Sequence, residues 1–140
     1  MTREALATLH ALCFKDTPRP WSPAEFEEIL GTPGAFLVSQ PRGFAVGRAT
    51  GQEAELLTLA VHPSVRRLGV GTTLVEKFEA RSLVADSSVA YLEVAETNAS
   101  ARGLYTSLGY ELAGRRPKYY HTARGNSIDA LVLRKRLLVA

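Results

Sequence analysis

The chain has 140 residues, 46% of them hydrophobic, and a formal charge of +3 from 17 basic and 14 acidic side chains. That size suits one globular domain with a sizeable core, and so mild a charge does not point to nucleic acid, although it suits an anionic ligand. No apolar run approaches the roughly 20 residues needed to cross a bilayer, and Cys13, the only cysteine, excludes an internal disulfide and a cysteine-built metal site. The opening Met1-Thr-Arg-Glu-Ala has no basic stretch leading into an apolar one, so the expectation is a cytoplasmic protein without a secretory signal.

Thr2 to Phe14 reads as a helix with Leu6, Leu9, His10 and Cys13 along one core-facing stripe. Trp21-Ser-Pro-Ala-Glu-Phe26 is a dense helix start. Ser22 is the N-cap, Pro23 the first helical residue and Glu25 the return half of a capping box, while Trp21 staples onto Phe26. Gly31 and Pro33 stop that helix. Three strands follow, Ala35–Ser39, Phe44–Thr50 and Ala54–Val61, joined so tightly that they must form an antiparallel meander.

Leu56 to Val61 is nearly all apolar, as in a strand covered on both faces, and Pro63 ends it. Arg66-Arg67-Leu68-Gly69-Val70-Gly71 comes next, then a helix with Val70, Leu74, Val75 and Phe78 on one side. A turn that enters a helix gathers unpaired N–H groups and the positive dipole end. Its glycines admit a ligand to the backbone and its arginines add full charge. The ligand implied is rich in phosphate. The spacing lacks the lysine of a P-loop and the third glycine of a dinucleotide fingerprint. Val89–Ala95 is a further buried strand, Asn98 caps a helix that ends at Leu108 with Gly109 beyond it, and Tyr110–Arg115 and Ser127–Lys135 are the last strands. The Arg/Tyr-rich stretch between those two, residues 115–125, reads as their connection. There are no repeats, linkers or low-complexity tracts, so residues 1–140 form one mixed α/β domain.

The Arg-x-x-Gly-x-Gly turn resembles the pyrophosphate-binding motif of the GNAT N-acetyltransferases. Leu92-Glu-Val, Asn98-Ala-Ser-Ala101, Leu104-Tyr-Thr-Ser-Leu-Gly-Tyr110, Arg116-Pro-Lys-Tyr-Tyr and Asp129-Ala-Leu-Val are similar to the ribosomal-protein-alanine N-acetyltransferases (RimI type) within that superfamily. The likeness runs from about residue 5 to 137 and is densest from Glu55 onward, with Phe14 and Pro20-Trp-Ser22 also fitting. It implies a GNAT fold, a mostly antiparallel mixed sheet flanked by helices. The family's first strand precedes its first helix, and only Met1-Thr-Arg stands there, so one sheet edge is expected to be shortened or missing.

The resemblance also implies acetyl-CoA as cosubstrate. Its pyrophosphate would lie on Arg66, Arg67, Leu68, Gly69, Val70, Gly71 and Thr72, and its pantetheine along Leu59, Ala60 and Val61. Asn98 is first an N-cap, and its side chain is also in reach of the pantetheine. Glu93 lies in an apolar run, where desolvation would raise its pKa toward a usable base; as a purely structural residue it would pair with an arginine. It falls on the family's general-base position. Tyr105 has the spacing of a core aromatic, and in the family a tyrosine there protonates the leaving CoA thiolate. Glu53 and Glu55 are reserve bases, His62 and His121 are exposed loop residues, and no cluster has metal-ligand spacing. Trp21, Arg115, Tyr119 and Tyr120 would line the acceptor groove, by likeness and position.

The family's acceptor is the α-amine of a ribosomal protein starting with alanine. An α-amine near pKa 8 is substantially neutral at cytoplasmic pH, and a lysine near 10.4 is neutral in only about one part in a thousand. One carboxylate base therefore goes further with an N-terminus. The competing readings are acetylation of a lysine, polyamine or small amine, and a CoA-binding module without turnover, which would need neither Glu93 nor Tyr105. The enzyme is expected to act as a monomer or weak dimer, without a membrane and without direct nucleic-acid contact.

Overall fold

Helix α1 (Arg3–Cys13) starts where Thr2 accepts the Ala5 N–H at 3.0 Å. Helix α2 (Pro23–Leu30) starts on the full capping box: Ser22 N–H donates to Glu25, and Glu25 N–H donates back to the Ser22 hydroxyl. The Trp21 and Phe26 rings meet edge-on at 5.1 Å. These and the following elements come from a computed structural model that describes residues 1–14, 18–122 and 124–137.

Strands β1 (Ala35–Gln40), β2 (Gly43–Thr50) and β3 (Glu53–Val61) form the expected meander. Helix α3 (Val70–Val84), β4 (Val89–Ala95), helix α4 (Ala99–Ser107), β5 (Glu111–His121) and β6 (Ser127–Arg136) complete the chain. The sheet has six strands in the order β1-β2-β3-β4-β6-β5, and β3–β4 is its one parallel pair. The chain thus enters the sheet only after two helices, and β1 is an edge strand.

Apolar residues divide between the two faces of the sheet. Phe36, Val38, Leu56, Leu74, Phe78, Leu92, Tyr105 and Leu133 form the larger core under α3 and α4. Leu6, Leu9, Phe26, Phe44, Val46 and Ala60 form a second core under α1 and α2. Only glycine fits at position 47, because a Cβ there would lie 2.6 Å from Phe78 and 2.7 Å from Phe36.

One expectation needs correcting. The connection expected at residues 115–125 is largely strand, since β5 continues through Arg116-Pro-Lys-Tyr-Tyr to His121; Ala123 lies outside the described residues. Pairing is interrupted by a bulge between Arg116 and Tyr120, with Lys118 at φ +53°. Asp129 holds the bulge, accepting the Lys118 N–H at 2.9 Å and Arg115 Nη1 at 2.8 Å. An edge strand exposed along most of its length carries no apolar alternation, so its sequence reads as loop.

His10 fills the second core as a neutral ring. Its Nδ1 accepts the Trp21 N–H at 3.0 Å, leaving Nε2–H for Thr58 Oγ1 at 2.9 Å. Burial, partly opposed by the charge of Glu25, lowers its pKa from 6.5 to about 4. The unfolded chain therefore takes this proton below about pH 6.5, whereas the folded chain stays neutral until about pH 4. Stability should be full above pH 6.5 and fall as the pH drops through that window, by on the order of 2–3 kcal/mol across it. Urea melts at several pH values should show wild type losing stability toward pH 4 relative to His10→Phe. A constant difference between the two would contradict this.

Candidate active site

Strands β3 and β4 pair only from Glu53 with Val89 to Leu56 with Leu92. A bulge against Val46 and Gly47 puts an extra residue into β3 after Leu56. The strand bends there, Leu57 turns to the second core, and Leu59 returns to the first. β4 meanwhile stays paired with β6 through Ala95. The two strands part, and a cavity of ≈ 380 Å³ opens between Leu57–Leu59 and Glu93–Ala95. Phe14, Pro18 and Trp21 line its α1–α2 lip. Asn98, Ala101 and Tyr105 line its α4 wall, and Arg116, Tyr119 and Tyr120 reach it from β5.

At the far end of β3, Pro63–Val65 makes a 3₁₀ turn, and Gly69 sits at φ +83° as the N-cap of α3 with no side-chain cap. The first intrahelical bond is Thr73 N–H to Gly69 C=O at 3.0 Å, so the N–H groups of Val70, Gly71 and Thr72 have no partner within the helix. Arg66 and Arg67 are exposed beside them, with Arg66 Nε 3.2 Å from the Val61 carbonyl. A Cβ on Gly71 would meet Leu104 at 3.1 Å and Val61 at 3.9 Å. The anion-binding turn, the end of β3 and the helix carrying Tyr105 are therefore neighbours. A phosphate held by the turn could extend an uncharged arm along β3 into the cavity.

Glu93 is only partly withdrawn from water, with 22% of its side chain exposed, and Arg116 Nε binds its Oε1 at 2.9 Å. Desolvation without a partner, one expectation for this residue, is not what surrounds it; the arginine pair is. Tyr105 is buried in the larger core, edge-on to Tyr110 at 5.9 Å, and also lines the cavity. Burial raises its phenol well above the ordinary tyrosine range, which keeps it protonated as a donor. Behind it, Tyr110 donates to Glu79 at 2.9 Å and Lys135 donates to both Glu79 oxygens at 3.0 Å. Burial, and then the Glu93 charge, push Tyr120 up to about 12.

Trp21, Tyr119 and Tyr120 come together at the cavity as expected, but Arg115 does not. It points the other way from β5 and is spent on Glu96 at 3.0 Å and Asp129 at 2.8 Å. Its neighbour Arg116 lines the cavity instead. Asn98 accepts the Ala101 N–H at 3.1 Å and faces the cavity while capping α4. Glu53 and Glu55 line a second hollow of ≈ 260 Å³, floored by Tyr91 and Leu92, that meets the first at Glu55, Glu93 and Arg116. His62 is bonded to Ser64 and His121 lies 3.3 Å from Ser127, both away from the cavity. Among the described residues no three metal-ligating side chains converge.

Residues 3–110 match the family described as Acetyltransferase (GNAT) family. The [ribosomal protein bS18]-alanine N-acetyltransferase of Salmonella typhimurium is 38% identical over 94 residues, which are 64% of this chain and 60% of that protein. The N-alpha-acetyltransferase RimI of Mycobacterium tuberculosis is 33% identical over 127 residues, 83% of this chain and 75% of that one. The crystal structure of the ribosomal-protein-S18-alanine N-acetyltransferase from Escherichia coli superimposes with a TM-score of 0.84 at 28% identity, covering 99% of this chain and 89% of that one.

Proposed function

The chain belongs to the acetyltransferase (GNAT) family, and from that premise we propose that it moves an acetyl group from acetyl-CoA to the α-amine of a ribosomal protein that begins with alanine. The observation that carries this reading is the cavity between the parted strands, with a carboxylate on one wall and a protonated phenol on another. The names of the relatives support the acceptor class.

Acetyl-CoA enters along α3. Its pyrophosphate takes the N–H groups and arginines of Arg66 to Thr72, and its pantetheine runs along Leu59, Ala60 and Val61 past Asn98. The acceptor comes from the lip side, between Trp21 and the pair Tyr119 and Tyr120. Glu93 gives up Arg116, receives the proton of the incoming ammonium, directly or through a water, and leaves a neutral amine to attack the thioester carbonyl. As the C–S bond breaks, Tyr105 donates its proton to the departing thiolate, which raises the leaving-group ability of CoA, and the proton that the nitrogen sheds on becoming an amide returns to the tyrosine through solvent. The products are an N-acetylated chain and free CoA, with no covalent enzyme intermediate.

A peptide beginning Ala-Arg and carrying an internal lysine should be acetylated at its first residue, as read by intact mass. A copy with a blocked N-terminus should react far more slowly. Equal rates on the two would sink the N-terminal reading and leave a lysine or small-amine acceptor.

Loss of one positioned acid or base costs on the order of 10²–10⁴ in rate. Glu93→Gln and Tyr105→Phe should each lose turnover by that order while still binding coenzyme A in calorimetry. Wild-type turnover in Tyr105→Phe would leave the tyrosine as a core aromatic only, and in Glu93→Gln would move the search for a base to Glu53 and Glu55.

A further inference from the structure

His10 takes no part in that chemistry, yet its bonds join the α1–α2 lip of the cleft to its β3 wall. Its ring centroid is 4.5 Å from that of Phe14 and 5.1 Å from that of Trp21, both on the cleft lip. Trp21 N–H donates to its Nδ1 at 3.0 Å. On its other side, Nε2 lies 2.9 Å from Thr58 Oγ1, at the bulge where β3 leaves β4. Phe26 and Phe44 fill the same layer with rings alone, at 5.4 Å and 6.3 Å from His10. A buried imidazole costs desolvation that a phenyl ring does not, so volume alone does not account for a histidine here. What the imidazole adds is one bond to the α1–α2 lip at Trp21 and one to the β3 wall at Thr58.

We propose that His10 is a positioning residue: by tying the Phe14–Trp21 lip to Thr58 in the bulge of β3, it fixes the width of the acceptor mouth. The step from cleft to acceptor rests on the function proposed above. The tie itself does not. A histidine that merely satisfies the core would change stability when replaced and leave the mouth as it is. A histidine that ties the lip to β3 changes how the acceptor is held, with little effect on acetyl-CoA, which enters from the α3 side.

Trp21 is the only tryptophan, so its fluorescence reports the lip without any substrate. His10→Phe keeps the ring and removes both bonds. Acrylamide quenching of Trp21 should rise roughly twofold, and the acceptor-peptide KM should rise roughly tenfold, as expected for the loss of one or two buried hydrogen bonds. The kcat and the coenzyme A affinity should stay within about twofold. His10→Gln, which can still bond on one side, should recover part of the KM. Thr58→Val removes only the β3 bond and should move quenching and KM in the same direction; it decides the matter if His10→Phe does not fold. Folded variants with wild-type quenching, or with raised quenching and an unchanged peptide KM, would overturn the proposal. If quenching rises but the wild-type protein acetylates no peptide, the tie stands and the acceptor reading falls.

Discussion

The early end of the β3–β4 pairing is the constraint on which the rest depends. Parallel strands held on both sides would normally continue their ladder. Here the ladder stops after Leu56 and Leu92, and each strand remains fixed by its other neighbour, β2 or β6. Backbone groups in the second half of β3 are left facing a cavity rather than a strand. Buried backbone N–H and C=O groups need partners, and an extended amide-bearing ligand laid along β3 would supply them. The pantetheine arm of coenzyme A has that chemistry, and the unpaired N–H groups at the start of α3 are where its phosphates are proposed to lie.

The two apolar cores keep the gap open. Under α3 and α4, the close approach of Phe78 and Phe36 to Gly47 seats α3 on β2. The Tyr110–Glu79–Lys135 cluster joins α3 to β6 and backs the Tyr105 ring. Desolvating three such groups is costly, but each charge and hydroxyl has a partner, so the cluster is stable where a lone member would not be. On the opposite face, α1 and α2 cover β1 to β3 and stop short of β4. That leaves the face carrying Tyr91, Glu93 and Arg116 open to an incoming chain. The routes proposed for cofactor and acceptor thus lead to the same gap from opposite faces of one sheet.

Much of this was legible in the sequence because it is local. The capping box of Ser22 and Glu25, the Asn98 cap, and the Gly69 turn depend on residues a few positions apart, and all are found where the spacing puts them. What was not legible depends on distant pairing. The bulge after Leu56 arises from the register with Val46 and Gly47, which no periodicity within β3 records. Thr58, the lone hydroxyl in an apolar run, was a trace of it, since a buried hydroxyl needs a partner such as His10. Arg116 rather than Arg115 lines the cavity, and the alternation of an exposed edge strand that decides between them cannot be read from polar residues. The pairing of Glu93 with Arg116, across β4 to β5, lies beyond any local rule.

Amide hydrogen exchange with and without acetyl-CoA probes the parted strands most directly. If the ligand completes the interrupted ladder, exchange should slow in the second half of β3, at residues 57–61, and at the start of α3, at residues 69–72. Amides of β1, on the far edge of the sheet, should be unchanged. Protection that spares residues 57–61 while appearing elsewhere would contradict the claim that the parted strands are the cofactor site.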